Sequence, residues 1–591
     1  MKIKKNHIKE LTIFFSLFLS LSLISADTAP IFFDITIISP NTCPARNQWE
    51  PLLDQILPQI GINVTHEYVH WGFISERTWN YPVGEEGYED HIPSYEKGGY
   101  DILTIGWGWD FDWDPTGLFD SASIVPNGDN LYQYNSSEFD NTLEEYLSEF
   151  ELSKRIEKAK ELQSILYNDL PAITVFYPRE KSFYLPGVSN VDFELLYQSI
   201  PRTEYWKNSE KNNITYMTYY DFNSPNLFLK DNYIEEIMGN IIFYGLFERA
   251  QNTHLYEPVI AQNYSISEDK KTIIVDINPD AYFSNGDPVT AYDVDFSYEL
   301  FMTPGVRDDP YSYYDTYDLL TTYFENNDSI KAIDDNTVQL EFKKPYVFWQ
   351  DLLSIDIVNK KLFEEYIEDN GYNFDTNNQS LFIGAGPFTL NVTEDYDLEN
   401  QTVTFHKNEY WKLTETVELD SIIFLCEIGT NDATDKIENK EIDIADTLFR
   451  FLDILENNTE WESTEIRTGT QTELTINMRH PILGTGELTP LGTAEAANNI
   501  RRAISHSINR EQLIEEVLDG IGKPGVVPYP ELCIGFDTSL SPYSYNITLA
   551  KSLMEEAGYS FEQTTPEETA YPVAFILSLL GITIIFSKRS R

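Results

Sequence analysis

Hydrophobic and polar residues follow two different periods in the first third of the chain. Strand-like runs of β-branched and aromatic residues occupy 32–38, 62–69 and 101–107. Between and after these runs, 49–60 and 138–168 place apolar residues every three or four positions, as amphipathic helices do. The two periods predict strands connected by helices, and therefore an α/β fold.

A polar, aperiodic stretch at 207–215 ends this region and predicts a linker. A β-rich pattern begins at Tyr216, and helical spacing returns at 499–520 and 549–558. The last of these helices ends at a glycine typical of a C-cap. Because no internal repeat occurs, the regions before and after the linker are unlike parts rather than copies.

Both ends of the chain carry patterns that direct proteins to membranes. Lysines, an apolar run and small residues follow one another at 1–26, which predicts a signal peptide. Near the other end, an acidic, Thr-rich stalk at 561–570 precedes an apolar segment at 571–587 and a basic tail. The segment is just long enough to cross a bilayer, and the basic tail should remain cytoplasmic. The prediction is a single-pass C-terminal anchor on the exterior face of the plasma membrane; a buried core helix is the alternative.

Composition narrows the possible functions. The 591 residues are enough for two or three domains, and 42% of them are hydrophobic, so the chain can form real cores. The net charge of −55 repels nucleic acid phosphates, and we therefore exclude nucleic-acid binding. Ten Asn-x-Ser/Thr sequons between the predicted membrane segments predict a glycosylated exterior protein: Asn63, Asn135, Asn213, Asn263, Asn327, Asn378, Asn391, Asn400, Asn457 and Asn546.

Two motifs resemble metal sites, but their contexts argue against metal binding. His66 and His70 match HExxH, yet they fall on a predicted strand, where such residues lie roughly 13 Å apart. Asp110, Asp112 and Asp114 resemble a calcium loop but lack its glycine and glutamate; calcium bound with another geometry is the alternative. No motif for a catalytic nucleophile, a phosphate loop or a dinucleotide site occurs. We therefore expect a protein that is not an enzyme and has no cofactor.

Most of 216–559 resembles the extracellular solute-binding proteins of ABC importers, in the peptide/nickel/opine class that includes oligopeptide and dipeptide receptors. The most specific stretch is 260–297, with a predicted hairpin, a turn at Gly286 and a helix entered through Thr290. Further matches follow in the family's order at 241–249, 384–388, 408–411, 500–510 and 550–559.

In that family, a substantial part of the fold should follow the helix at 550–559. Here residues 31–206 look like that missing part, because they contain a strand, a helix and a Trp-x-x-Asp…Asp-Pro turn in the expected order. The simplest interpretation is a circular permutation, with 207–215 joining the original termini; a remnant of tandem duplication is the alternative. Residues near Ile31 and Tyr559 should then lie close together within one lobe.

The resemblance implies a two-lobe, periplasmic-binding-protein-like α/β fold of the large, three-part class. On this alignment the second lobe comprises 31–189 and 471–560. The first lobe comprises 190–254 and 384–470, and a small β-rich region spans 255–383. The lobes are expected to close on a ligand by hinge bending.

The same resemblance implies a monomeric receptor that captures peptides between its lobes and delivers them to ABC permease subunits. In peptide receptors of this class, an aspartate after the tryptophan binds the ligand's α-ammonium group. Asp110 matches that position by its distance from Trp107, although this chain has one residue more before the Asp-Pro pair. Trp107, Trp109 and Trp113 are expected to line the cleft. Roles as a turn residue, for Asp110, and as core residues, for the tryptophans, are the alternatives.

Two other functions and one cross-link remain open. The alternatives are an oligosaccharide receptor of the same fold and a surface sensor or envelope protein that has lost import; the fold alone does not separate them from a peptide receptor. Cys43 and Cys533 both fall in the second lobe near loops that border the cleft, and they are the candidate disulfide.

Overall fold

The computed structural model describes residues 29–43, 46–222, 232–303, 306, 316–374, 378–414, 417–456 and 458–562. The predicted signal peptide and anchor lie outside these ranges, as does the predicted stalk beyond residue 562. Within the ranges, none of the helices has both the length and the apolar composition needed to cross a bilayer.

The front of the chain alternates strands and helices as its sequence pattern predicts. Its elements are β1 (Phe33–Pro40), α1 (Arg46–Ile56), β2 (Ile62–Val69), α2 (Trp71–Arg77), β3 (Ile102–Gly108), α3 (Thr116–Phe119), α4 (Ser137–Ser148), α5 (Leu152–Asp169) and β4 (Ala172–Tyr184). The predicted helix at 138–168 is thus two helices. The chain breaks near Phe150, whose ring packs against the core of the other half of the molecule.

The middle of the chain is richer in strands. Its elements are β5 (Val188–Ser189), α6 (Phe193–Tyr197), β6 (Lys207–Asn208), β7 (Asn213–Thr218), α7 (Tyr233–Ile242), β8 (Phe247–Arg249), β9 (Tyr256–Pro258), β10 (Ala261–Ile266), β11 (Thr272–Ile277), α8 (Ala291–Phe301), α9 (Thr316–Tyr323), β12 (Ile330–Asp334), β13 (Thr337–Glu341) and α10 (Lys360–Asn370). Strands β6 and β7 begin inside the predicted linker, because Ile214 is fully buried and pairs with Ile422 of the neighbouring strand.

The last part returns to mixed structure. Its elements are β14 (Phe388–Thr389), β15 (Tyr396–Asp397), β16 (Thr402–Lys407), β17 (Ser421–Cys426), α11 (Thr430–Glu438), β18 (Ile444–Ala445), α12 (Asp453–Glu456), β19 (Glu462–Arg467), β20 (Thr470–Ile476), α13 (Ala494–Ser507), α14 (Arg510–Val517), β21 (Gly522–Pro524) and α15 (Ile547–Glu556).

Local capping chemistry explains two helix boundaries near the family-like motifs. Helix α8 begins with a capping box, in which Asp293 accepts hydrogen bonds from the backbone and hydroxyl of Thr290 at 2.8 and 2.6 Å. Beyond α15 the chain reverses at Gly558, whose φ of +98° lies in the left-handed region that favours glycine. Both boundaries agree with the sequence prediction.

One 13-stranded sheet runs through both halves of the molecule. Its strand order is β14-β16-β17-β7-β18-β4-β20-β3-β1-β2, with β15 beside β16 and with β19 and β21 beside β4. Strand β4 pairs with β20 along its first part and with β19 along its second part, both antiparallel. The chain therefore crosses between the halves twice, in β4 and between β19 and β20. These crossings lie close to the predicted lobe boundaries at 189 and 470.

The two halves have separate cores, which defines two lobes. The first lobe and the small β-rich region, whose four-stranded sheet runs β10-β11-β13-β12, share one large core. The second lobe has two cores, on opposite faces of β1 and β3, and β20 contributes to one of them. One of these cores joins Ile37 and Trp49 from the front of the chain to Leu474 and Ala550. The architecture agrees with the predicted two-lobe α/β fold.

The first and last described segments lie side by side in the second lobe. The rings of Phe32 and Tyr559 stack with their centroids 4.7 Å apart, and Phe561 packs against Phe32 at 4.9 Å. The predicted proximity of residues near Ile31 and Tyr559 is confirmed. Residues 31–189 do not form a separate globule, because their cores include residues from the end of the chain.

Candidate functional site

The loop after β3 lies between the two lobes, where the predicted ligand residues are found. Its first residue, Trp109, donates a backbone hydrogen bond to Gly469, in the turn between β19 and β20. A side chain at Gly469 would place a Cβ 1.9 Å from the Trp109 oxygen, so only glycine allows this approach. The loop is thereby fixed to one of the two crossings between the lobes.

One guanidinium group gathers three carboxylates in this region. Nη2 of Arg249, at the end of β8 in the first lobe, lies 2.9 Å from Asp112 Oδ2 and 3.1 Å from Asp351 Oδ1. It lies 3.8 Å from Oδ2 of Asp110, which is the longest of the three separations. Arg249 is almost fully buried and stacks 3.8 Å from the ring centroid of Tyr256. Three carboxyl groups thus share one buried guanidinium group.

Burial, together with the excess of carboxyl groups around one guanidinium group, shifts the pKa values of two of the three carboxyl groups. Burial raises the pKa of Asp351 to about 8; Arg249 opposes the shift, and Asp112 and Asp110 add to it. Burial also raises the pKa of Asp110, again opposed by Arg249. A positively charged partner entering the cluster would favour the ionised forms of these groups.

The Asp110 side chain lies between the lobes and is nevertheless partly exposed to solvent. Its side chain is 45% exposed although protein surrounds the loop, so the carboxylate faces the space between the lobes. Oδ1 accepts the backbone N–H of Asp112 at 2.8 Å. Asp110 therefore stabilises its own turn with one oxygen, while the other has only a distant contact with Arg249.

The three tryptophans occupy different environments. Trp113 is fully buried and packs on Tyr529 at 4.6 Å, so it belongs to the second-lobe core and does not line the cleft as expected. Trp107 is half-buried and donates from Nε1 to the Tyr132 hydroxyl at 2.8 Å. Trp109 is half-buried beside Trp113, with 6.0 Å between centroids, and is the tryptophan of the three that directly precedes Asp110.

The motifs that resemble metal sites are used in other ways. His66 lies on β2 and contacts Ser39 Oγ at 3.0 Å, whereas His70 caps the next helix through Nδ1. Asp114 accepts a hydrogen bond from the Thr116 backbone at 3.0 Å, in the turn that leads into α3. The HExxH pair therefore does not converge on one point, in agreement with the strand prediction.

One other cluster among the described residues has spacing compatible with a metal ion. The ligating atoms of Asp192, Glu194 and His254 lie within 4.8 Å of one another. These atoms already have partners: Arg467 donates to both carboxylate oxygens of Glu194, and Asp192 caps α6 and contacts His254 at 3.1 Å. The cluster is fully accounted for by ion pairs and capping.

The predicted disulfide is not present in the structure. Cys43, Cys426 and Cys533 are all free thiols. Cys533 is buried behind the cleft loop, where its thiol donates to the Asp110 carbonyl oxygen at 3.2 Å, whereas Cys43 is half-buried just after β1.

Nine of the ten sequons lie among the described residues and are exposed or half-buried; Asn457 lies outside them.

Sequence reasoning did not identify Arg249 or Asp351. Arg249 ends an apolar run together with Glu248, and Asp351 follows an aromatic run, so a charge at the end of each run was the available signal. Local sequence does not reveal that these two residues meet beside Asp112 of the second lobe.

Comparison with known proteins agrees with this architecture. The family described as bacterial extracellular solute-binding proteins, family 5 Middle, matches residues 256–577. The oligopeptide-binding protein OppA of Bacillus subtilis is 23% identical over 51% of this chain and 54% of its own length. The probable D,D-dipeptide-binding periplasmic protein DdpA of Escherichia coli is 25% identical over 56% of this chain and 60% of its own length. This chain thus spans little more than half the length of these relatives.

Among solved structures, the periplasmic murein tripeptide-binding protein MppA, in an unliganded open form, aligns with a TM-score of 0.44. The two are 18% identical over 59% of this chain and 66% of MppA.

Proposed function

The chain belongs to family 5 of the bacterial extracellular solute-binding proteins, and we propose that it is the receptor of an ABC importer for oligopeptides or dipeptides. The observation that carries this proposal is the Asp110 carboxylate, which is deep between the lobes, half-exposed and one of three acids around a single arginine. OppA and DdpA, whose names describe peptide ligands, support the class of ligand.

Charge balance explains why a peptide amino terminus suits this position. The α-ammonium group of a peptide must lose water when the lobes close, and this costs free energy unless a carboxylate meets it. Asp110 is the carboxylate least engaged by Arg249, since its separation of 3.8 Å exceeds a normal hydrogen bond. An ammonium group at Asp110 would also reduce the net negative charge of the cluster. Trp109, the preceding residue, would pack against the first residue of the ligand.

The test compares Asp110→Asn with the parent protein by calorimetry, using peptides with free and N-acetylated amino termini. Losing a charge-assisted hydrogen bond to a buried group should cost about 2–3 kcal/mol, or roughly 30- to 150-fold in affinity. Asp129→Asn, on an exposed loop of the same lobe, is the matched control and should bind as the parent does.

Equal binding of acetylated peptides, or an unchanged affinity of Asp110→Asn, would contradict the assignment of Asp110. A thermal-shift response to oligosaccharides in place of peptides would then favour an oligosaccharide receptor of the same fold. Binding of peptides without uptake, measured in cells that hold the partner permease, would favour a surface sensor or envelope protein.

We also propose that the order of the lobes arose by circular permutation. Three features support it: residues 31–189 lie outside the family match, they complete the second-lobe cores, and the two described ends are in contact. The segment at 207–215 would then join the original termini.

The exterior location completes the proposal. A signal peptide at 1–26 and an anchor at 571–587 would place the monomeric receptor on the outer face of the plasma membrane, with its sequons available for glycosylation. Protease treatment of intact cells should remove the protein from the surface, and a glycosidase that removes N-linked glycans should lower its apparent mass. A protein protected in intact cells would contradict this location.

A further inference from the structure

A short segment of the small β-rich region contacts the second lobe; we call it the strap and define it as residues 344–351. Val347 and Phe348 of the strap are 2% and 4% exposed and belong to the core of the second lobe. The Phe348 ring lies 6.1 Å from the ring of Tyr146, and the guanidinium of Arg155 lies over its face at 5.4 Å. The strap therefore inserts an aromatic side chain into the opposite lobe.

The next residue of the strap is fixed to the other body of the molecule. Trp349 is 4% exposed and packs in the core shared by the first lobe and the small region, with its ring 5.4 Å from Phe247 and 5.0 Å from Tyr264. Consecutive residues thus enter different cores. The lobes cannot separate unless either Phe348 or Trp349 leaves its core.

The last residue of the strap adds a polar contact to the same arginine that meets the second lobe. Asp351 pairs with Arg249 of the first lobe, and Nη2 of the same arginine is 2.9 Å from Asp112 of the second lobe. A buried pair of this kind is costly to break when one partner is left without its counter-charge. Opening the cleft would separate Arg249 from Asp112 and expose Phe348 in one motion.

We propose that the strap holds the two lobes closed in the absence of ligand, with Phe348 and Arg249 as its attachments to the second lobe. Ligand then enters only after these attachments release, and the apparent affinity is reduced by the fraction of molecules that remain closed. The strap thereby sets how far the apparent affinity lies below the intrinsic affinity, which depends on the residues that contact the ligand.

Small-angle X-ray scattering of the ligand-free protein tests this directly. The parent should scatter as the closed form, and Phe348→Ala should have a larger radius of gyration. Losing a fully buried phenylalanine should shift the closed-to-open ratio by about tenfold to a hundredfold. Phe348→Leu, which keeps most of the apolar surface, should remain close to the parent. Phe451→Ala, at a site 65% exposed on the first lobe, is the matched control and should not change the profile.

Hydrogen exchange separates opening of the cleft from unfolding. In Phe348→Ala, amides of the strap and of the loop after β3 should exchange faster, whereas those of β16 and β17 should exchange as in the parent. Arg249→Met, which removes the charge and keeps most of the length, should give the same pattern.

An expanded ligand-free parent would overturn the proposal. So would an unchanged scattering profile in folded Phe348→Ala and Arg249→Met. Because no ligand is used, the result does not depend on whether the protein binds peptides.

Discussion

Restoring the order of parts implied by the family resemblance should give a protein that folds. The change joins Glu562 to Ala29 through a glycine-serine linker of about six residues and opens the chain between Glu210 and Lys211. The linker need only be short, because Phe32 and Tyr559 already stack 4.7 Å apart beside the two ends. The new ends would lie in a segment with few buried contacts.

The structure predicts a small cost for this change. Replacing one short connection with another alters the entropy of loop closure by less than about 1 kcal/mol, since each doubling of length costs about 0.6 kcal/mol. The cut weakens the pair between half-exposed Lys211 and buried Asp443, which contributes about 1 kcal/mol or less because Asp443 also accepts hydrogen bonds from Asn208 and from the Thr215 backbone. The total of about 1–2 kcal/mol is well below the stability of a typical domain.

Urea and thermal unfolding, followed by circular dichroism, would measure the effect. The matched control uses the same linker but opens the chain between Pro178 and Arg179, inside β4. This strand pairs with β18, β19, β20 and β21 and connects the lobes, so the control should lose cooperative folding.

Failure of the reordered chain to fold, at a linker length that spans the ends, would refute the permutation. Cooperative folding of isolated residues 29–189 would refute it independently, because the second-lobe cores would then not need the end of the chain.

Three further predictions follow from buried groups. Burial raises the pKa of Asp351 to about 8, so between pH about 4 and 8 the folded protein keeps a proton that the unfolded chain releases. The free energy of unfolding should therefore fall as pH rises through this window, which thermal unfolding at a series of pH values would measure. Asp351→Asn should show a smaller change of stability with pH than the parent; an equal change would contradict the assignment. Arg510→Met should lower the free energy of unfolding by at least about 2 kcal/mol in urea titrations, because Arg510 is buried and donates to three backbone carbonyls. Arg502 is exposed, and the control Arg502→Met should change the free energy of unfolding by less than about 0.5 kcal/mol. Gly386→Ala should cost about 1–3 kcal/mol by the same measurement, because the added carbon would lie 2.4 Å from a backbone oxygen of α7, whereas Gly117→Ala adds a carbon in open space and should be close to neutral.

The sequence by itself determined the local structure and the family. The alternation at 32–38 and 62–69 predicted β1 and β2, and Thr290 and Gly558 marked helix ends that the structure confirms. These signals are readable because periodicity and capping depend on neighbours within a few residues. The family resemblance predicted that residues near Ile31 and Tyr559 would be close together, since the regions before and after the segment at 207–215 match complementary parts of the family's order of elements.

The tertiary structure decided which side chains share the space between the lobes. Trp109 and Trp113 have similar sequence contexts, yet Trp113 is core and Trp109 borders Asp110. Arg249 and Phe348 gave no local signal, because their partners lie far away in sequence on the other lobe. Local patterns report which face of an element is apolar, whereas the partner of a buried charge or ring depends on how distant elements pack. For that reason the sequence could indicate Asp110, but only the packed lobes revealed the arginine and the strap beside it.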